Sequence, residues 1–291
     1  MLRESSLSPT FSLSPDHFLA VDGLEQSFDG VMALAGVSFK VSAGLIYSVI
    51  GPNGAGKTTL FNALCGFYRP SAGSVRFEGR ELLGLPPHRI AARGIARTFQ
   101  NLQLFFNMTV LENAMAGCYL RARTGLLAAA LRLPKVRREE RQLREWACEA
   151  LELCELVDRA EQPAGTLPYG LMKRVEIARA LATQPRLLLL DEPAAGLNDT
   201  ESLALCDLIE RIRASGVTVL LVEHHMPLVM NVSNRLLVLD YGSVLAEGTP
   251  AEIQADQRVA AAYLGRRSAI CRLIDPSPIT VSRNRCWKWS V

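Results

Sequence analysis

From Phe18 to Lys40 apolar and polar positions alternate on either side of an Asp29–Gly30 turn, as FLAVDGLEQSF and then VMALAGVSFKV. A period of two belongs to a strand with one covered face, so this stretch predicts two strands of a small antiparallel layer. Further on the pattern changes. LIYSVI (45–50), RLLLLDEP (186–193), VTVLLVEHH (217–225) and RLLVLD (235–240) contain uninterrupted apolar runs. Such runs are too short to span a bilayer, and strands built from them need cover on both faces. They alternate with helical stretches at 200–214 and from Pro227 onward. Strand–helix alternation of this kind predicts an α/β fold with a mainly parallel sheet. DYGS (240–243) predicts a hairpin turn that adds a last strand.

The middle of the chain reads differently. RPSAGS (69–74) predicts a turn and Ser74–Phe77 a strand. PPHRIAARG (86–94) predicts a short helix opened by proline, and GIARTFQ (94–100) a short strand ending at Gln100. Thr109 followed by Glu112 is a capping box that starts a helix. The basic stretch 121–144 predicts two helical pieces separated by Pro134, read as a solvated hairpin or, alternatively, as a membrane-surface contact. Leu143, Trp146, Ala147, Ala150, Leu151, Cys154 and Val157 then recur at helical spacing, which assigns Trp146 to a core. No internal repeat is visible.

Composition narrows the class. At 49% hydrophobic and 21% charged residues, the chain describes a soluble globular protein. Residues 1–17 are Ser/Pro-rich without an apolar core, and are expected to be a disordered extension rather than a secretory signal. The net charge of +3 is unevenly spread, because residues 266–291 hold six basic side chains against Asp275 alone. That basic tail is read as a disordered terminus or, alternatively, as a contact with anionic lipid or a subunit. The rest of the chain lacks the basic excess of a nucleic-acid binder. Seven scattered cysteines without a C-x-x-C pair indicate neither a disulfide frame nor a zinc site, as suits a reducing cytosol.

Chemistry concentrates in GPNGAGKTT (51–59), a G-x-x-x-x-G-K-[ST] phosphate loop between a predicted strand and a predicted helix. Gly51, Gly54 and Gly56 let the backbone turn tightly around an anion, with Asn53 and Ala55 completing the cradle. Lys57 supplies a point charge for the β- and γ-phosphates. The Thr58 hydroxyl suits Mg²⁺, and Thr59 reaches a further phosphate oxygen. By itself this motif does not separate a kinase, a GTPase and a motor. Asp191 and Glu192, after four leucines, put two carboxylates at the tip of a strand. Asp191 would hold Mg²⁺ and Glu192 would orient and deprotonate an attacking water. Gln100 offers an amide to both metal and water, and His224 a hydrogen bond to a γ-phosphate. Phe28, beside the first turn, is either core or a stacking platform for a base.

Taken together, these residues resemble the ATPases of ABC transporters in every motif and in order. The matches are Phe28, GPNGAGKTT, Gln100, LPYGLMKRVEIARAL (167–181), LLLLDEP, AAGLND (194–199) and His224, over residues 18–265. GIARTFQNLQLF, MTVLENAMAG, VEHHMPLVM and LDYGSVLAEGTP resemble the ATPases of branched-chain amino-acid uptake systems. The resemblance implies an ABC nucleotide-binding domain over 18–265 with a helical subdomain at about 101–182. It implies ATP and Mg²⁺ as cofactors, Phe28 stacking on adenine, and Thr58, Gln100 and Asp191 around the metal. It also implies two such subunits closing head to tail, so that Gly170 and its helix face the ATP of the partner. The remaining implied partners are transmembrane permease subunits at the cytoplasmic face of the membrane and, indirectly, a substrate-binding protein. Rival cargoes are urea or amides for an importer and lipid or polysaccharide for an exporter. A distant rival is an ABC ATPase acting on nucleic acid or ribosomes.

Three positions depart from that pattern. The signature usually reads L-S-G-G-Q and here reads Leu167-Pro168-Tyr169-Gly170-Leu171, which loses a hydroxyl, an N–H and an amide. Asn198 stands where Asp is common, and His225 follows His224 where the subgroup tends to have Asp.

Overall fold

The alternating segment forms β1 (Leu19–Phe28) and β2 (Val31–Val41), paired antiparallel across the Asp29–Gly30 turn. The computed structural model describes residues 18–121 and 134–264. The extension at 1–17, residues 122–133 of the basic stretch and the tail at 266–291 lie outside the described residues. β4 (Ala72–Phe77) pairs with β1 and β5 (Arg80–Glu81) with β4, giving a four-stranded antiparallel sheet of order β2-β1-β4-β5. The predicted turn at 69–74 is therefore shorter than expected, since Ala72 and Gly73 already pair with β1 through the Glu25–Ala72 partnership.

The apolar runs build the second sheet. β3 (Ile46–Ile50), β6 (Ile95–Arg97), β7 (Leu187–Asp191), β8 (Thr218–Val222) and β9 (Arg235–Asp240) run parallel, and β10 (Ser243–Gly248) closes one edge antiparallel. Their strict two-sidedness shows in the packing. Leu187 and Leu189 face the core shared with the antiparallel sheet, together with Tyr47, Val49, Leu220 and Val222. Leu188 and Leu190 face a separate core of helices, together with Ile46, Val219 and Leu221. Each buried leucine adds roughly 1.5–3 kcal/mol, so an apolar run covered on both faces is stable only in this middle layer.

The helices are α1 (Lys57–Leu64), α2 (Pro87–Ala91), α3 (Val110–Cys118), α4 (Pro134–Leu153) and α5 (Tyr169–Leu181). They continue with α6 (Asp199–Ala214), α7 (Met226–Val232), α8 (Pro250–Ala255) and α9 (Gln257–Leu264). Helices α3, α4 and α5 pack on one another around Val110, Ala114, Leu143, Ala147, Leu151 and Val175. The capping box of α3 is present, with Thr109 Oγ1 accepting from Glu112 N at 3.1 Å and Glu112 Oε2 from Thr109 N at 2.8 Å. Pro134 opens α4, where a missing N–H costs nothing, and the helical piece predicted before it lies outside the described residues. α4 ends at Leu153, and Val157, read as a continuation of its buried stripe, is half exposed at 51%. Trp146 packs against this helical core, with the Arg121 guanidinium 3.6 Å from its ring centroid.

Strand register defines the functional edge. Val49 of β3 pairs with Val222 of β8, and Val222 with Asp191 of β7. The carboxyl ends of three neighbouring parallel strands thus finish on one level, where open α/β sheets bind ligands.

Candidate active site

The phosphate loop fills the step from β3 to α1. Two of its glycines are required by space as well as by backbone angle. A Cβ on Gly51 would come within 2.2 Å of Leu239 O, and one on Gly56 (φ 100°) within 2.5 Å of Ala33 O. Gly56 is the N-cap of α1, and no acidic residue occupies that helix's first turn. The first-turn N–H groups and the positive dipole end are thus offered to an anion without a competing carboxylate. The β9–β10 turn braces the loop, because Gly242 N donates to Ala55 O at 3.1 Å and Ala35 N to Gly242 O at 2.8 Å. Asn53, Gly54 and Thr58 are exposed, and Thr59 is half-buried.

Lys57 is buried and folds across the loop, donating to Gly51 O at 2.7 Å and Pro52 O at 3.0 Å. Burial lowers its pKa from the ordinary lysine value, and Glu192 and Asp191 partly hold it up. Both carboxylates thus act on the same amine, which ties the tip of β7 to the loop.

Glu192 takes a left-handed backbone (φ 47°), secured by its N–H on Val222 O at 2.9 Å. Its carboxylate collects the other two predicted catalytic side chains. Gln100 Nε2 donates to Glu192 Oε2 at 2.9 Å, and His224 Nδ1 lies 3.8 Å from Oε1. Residues separated by 92 positions in the chain meet because β6 and β7 are neighbours and the chain leaves both at the same edge.

The strand carrying His224 is shorter than the apolar run suggests. β8 ends at Val222, and Glu223, buried completely, turns its carboxylate back onto the chain. It accepts from His224 N at 3.0 Å, His225 N at 3.2 Å and Ala194 N at 2.7 Å. These bonds stop the ladder and fix His224 beside the loop that follows Glu192. Glu223 was missed by sequence reasoning, since an acid at the end of an apolar strand gives no local signal of what it binds. His224 is exposed, whereas His225 Nδ1 is buried without a hydrogen-bond partner.

Asp191 is buried, and its Oδ2 accepts from Arg97 Nη2 at 2.7 Å. Arg97 also donates to Asn62 Oδ1 of α1 at 2.6 Å, and it lies 5.4–5.8 Å from the ring centroids of Phe61, Phe67 and Phe99. Arg97 was not anticipated from sequence either. The oxygen-only set of Thr58 hydroxyl, Gln100 amide and Asp191 carboxylate fits Mg²⁺, which takes few protein ligands and prefers hard oxygen donors.

Phe28 is 39% exposed at the end of β1 and meets Tyr68 edge to face at 5.1 Å. It is therefore not a core residue, and Tyr68 is a partner the sequence did not reveal. Leu167–Leu171 packs on the segment following Glu192. The Tyr169 ring covers Gly196, where a Cβ would meet it at 3.1 Å, and Gly170 lies against Glu201, where a Cβ would come within 2.6 Å of Oε1. Pro168 is the N-cap of α5 without a side-chain bond, its carbonyl accepting from Leu171 N and Met172 N at 3.0 Å. Asn198 caps α6 in a capping box with Glu201, at 2.9 and 3.0 Å, a local role that its N-x-x-E spacing already encodes.

A phosphate loop at the central strand of a parallel sheet, a carboxylate gathering Gln100 and His224, and a small antiparallel sheet carrying an exposed Phe define an α/β P-loop ATPase. Comparison with known proteins specifies the class. The family model described as ABC transporter matches residues 34–195, and one described as branched-chain amino acid ATP-binding cassette transporter matches residues 243–269. The high-affinity branched-chain amino acid transport ATP-binding protein BraF of Pseudomonas aeruginosa is 48% identical over 85% of this chain and 97% of its own. LivG of Salmonella typhimurium, similarly described, is 46% identical over the same shares. A crystal structure of the ADP conformation of an ATP-binding cassette of an ABC transporter superposes with a TM-score of 0.76 at 33% identity, covering 87% of this chain and 100% of that one. The chain belongs to the ABC-transporter family as an ATP-binding cassette ATPase.

Proposed function

We propose that this chain is the ATP-hydrolysing subunit of an importer for branched-chain amino acids. The observation that carries the reading is the 48% identity, over 85% of this chain and 97% of the relative, to a branched-chain amino acid transport ATPase. The match at 243–269 to a model of that transporter class, outside the general ATPase motifs, supports it independently. The nucleotide-binding domain spans 18–265, with its helical subdomain at about 101–182.

In this reading the cradle from Gly51 to Thr59 binds the triphosphate, Lys57 exchanging its bonds to Gly51 O and Pro52 O for phosphate oxygens. Phe28 stacks on the base. Thr58, Gln100 and Asp191 would hold Mg²⁺, whose charge offsets that of the β- and γ-phosphates when bound. Glu192 accepts the proton of the attacking water, Gln100 orients that water, and His224 donates to the γ-phosphate. A base so placed contributes roughly two to four powers of ten in rate.

The site is completed in trans. Gly170 and the N-terminus of α5 face the nucleotide held by a second ATPase subunit, identical or related, and closure of the pair drives the membrane subunits. A cavity of about 390 Å³ lies between α2, α3, α5 and β6, lined in part by Phe67, Phe99 and Phe105. Among the described residues no helix is long and apolar enough to cross a membrane. By its similarity to branched-chain amino acid transport ATPases, the chain in this reading works at the cytoplasmic face through permease partners, and indirectly with a substrate-binding protein.

Affinity capture of the tagged chain from detergent-solubilised membranes tests this reading, followed by leucine, isoleucine and valine uptake in a strain lacking it. Co-purifying permeases and loss of uptake are expected. Permeases of a urea, amide or lipid system, or unchanged uptake, would overturn the assignment of cargo.

A further inference from the structure

Two charged side chains of α5 are almost fully buried, Lys173 at 3% and Glu176 at 2% exposure. They lie three residues apart on one face of the helix, and that face meets the backbone around Gln100. Lys173 Nζ donates to Gln100 O at 3.1 Å, and Glu176 Oε1 accepts from Phe99 N at 3.3 Å. Burial raises the Glu176 pKa, and the Phe99 N–H, Lys173 and Arg179 pull against that rise. Charges are rarely placed in an interior unless their bonds are specific. Here both sets of bonds go to one short loop. One charge holds its carbonyl, the other holds an N–H, and the Gln100 side chain between them reaches Glu192 at 2.9 Å.

We propose that Lys173 and Glu176 are positioning residues. They clamp the loop at 99–100 to α5, so that the helix and the Gln100 amide move as one body. The N-terminus of α5 faces the nucleotide of the second subunit in the function proposed above, and this inference rests on that reading. Movement of α5 toward that nucleotide then carries Gln100 relative to Glu192 in the chain's own site. The occupancy of one site of the pair thereby sets the catalytic geometry of the other. The link is short: two side chains, two backbone atoms and one amide.

The test is steady-state ATP hydrolysis by the purified transporter complex carrying K173M, K173R, E176Q, Q100A and the double variants K173M/Q100A and E176Q/Q100A. K173M is expected to lower kcat roughly tenfold, the scale of a misplaced catalytic group. KM for ATP should stay within about twofold, because the phosphate loop and Phe28 are untouched, and the Hill coefficient for ATP should fall toward one. K173R should restore both. K173M/Q100A should be no slower than Q100A alone, since Lys173 acts only through Gln100. E176Q keeps the side-chain volume and serves where K173M is poorly folded. It should lower kcat severalfold and likewise add nothing to Q100A. Multiplicative losses in the double variants, or K173M with the rate and Hill coefficient of the unmodified complex, would overturn the clamp. An unmodified complex that does not hydrolyse ATP would overturn the functional reading instead.

Discussion

The pair Arg97–Asp191 gives the sharpest test of how the catalytic edge is held together. Replacing Arg97 by methionine removes a guanidinium that bonds Asp191 Oδ2 at 2.7 Å and Asn62 Oδ1 at 2.6 Å. Side-chain exposures of 8% and 4% leave water little access to the abandoned carboxylate. Removing one partner of a buried pair costs about 3–5 kcal/mol, mostly as the penalty of an uncompensated charge. Methionine fills much of the stem's volume and keeps a favourable sulfur contact with the rings of Phe61, Phe67 and Phe99. The loss therefore reports charge rather than packing, apart from about 0.5–2 kcal/mol of lost cation–π attraction. Against a total stability of about 5–15 kcal/mol the variant should be severely weakened. At roughly 2–4 °C per kcal/mol for a chain of this size class, its melting temperature should fall by about 10 °C or more. The assay is thermal and urea unfolding of the nucleotide-free protein, run in parallel on D191N and R97M/D191N. With both charges gone, the double variant should regain a large part of what R97M loses. A shift of less than about 2 °C in R97M, or simple additivity in the double variant, would refute the reasoning.

Three further outcomes follow from the same geometry. E192Q should lose roughly two to four powers of ten in phosphate release while retaining nucleotide binding, and a rate within tenfold of the unmodified protein would remove Glu192 as the base. Burial lowers the Lys57 pKa below its ordinary 10.5, so just under that pH the unfolded chain binds more protons than the folded one. The stability contributed by Lys57 should therefore rise with pH in that alkaline window while ATP affinity falls, and K57R should flatten the affinity profile measured by fluorescent nucleotide titration. Because Pro168 caps α5 without a side-chain bond, P168S should strengthen ATP-driven dimerisation in an E192Q background, read by light scattering. An unchanged dimer fraction would show that the departure in the signature is neutral.

The sequence alone determined what is local. A phosphate loop is nine consecutive residues, a capping box spans four, and an apolar run announces a strand covered on both faces wherever it lies. Those signals located the cradle, β3, β7, β9, α1 and the start of α3 without reference to anything distant. They misplaced ends whose reason is distant. β8 stops at Val222 because the Glu223 carboxylate binds Ala194 N across the edge of the sheet. Val157 left the helical stripe because α4 had already ended at Leu153. What tertiary structure alone decided is the company each candidate keeps. Strand order put β6 beside β7, and with it Arg97 on Asp191 and Gln100 on Glu192, contacts spanning more than ninety residues. Tyr68 against Phe28, Glu201 against Gly170 and the buried grip of Lys173 and Glu176 on the Gln100 loop belong to the same kind. No spacing in the chain encodes them, because a charge or an aromatic ring acquires its partner only when packing has removed it from water and fixed which atoms remain within reach.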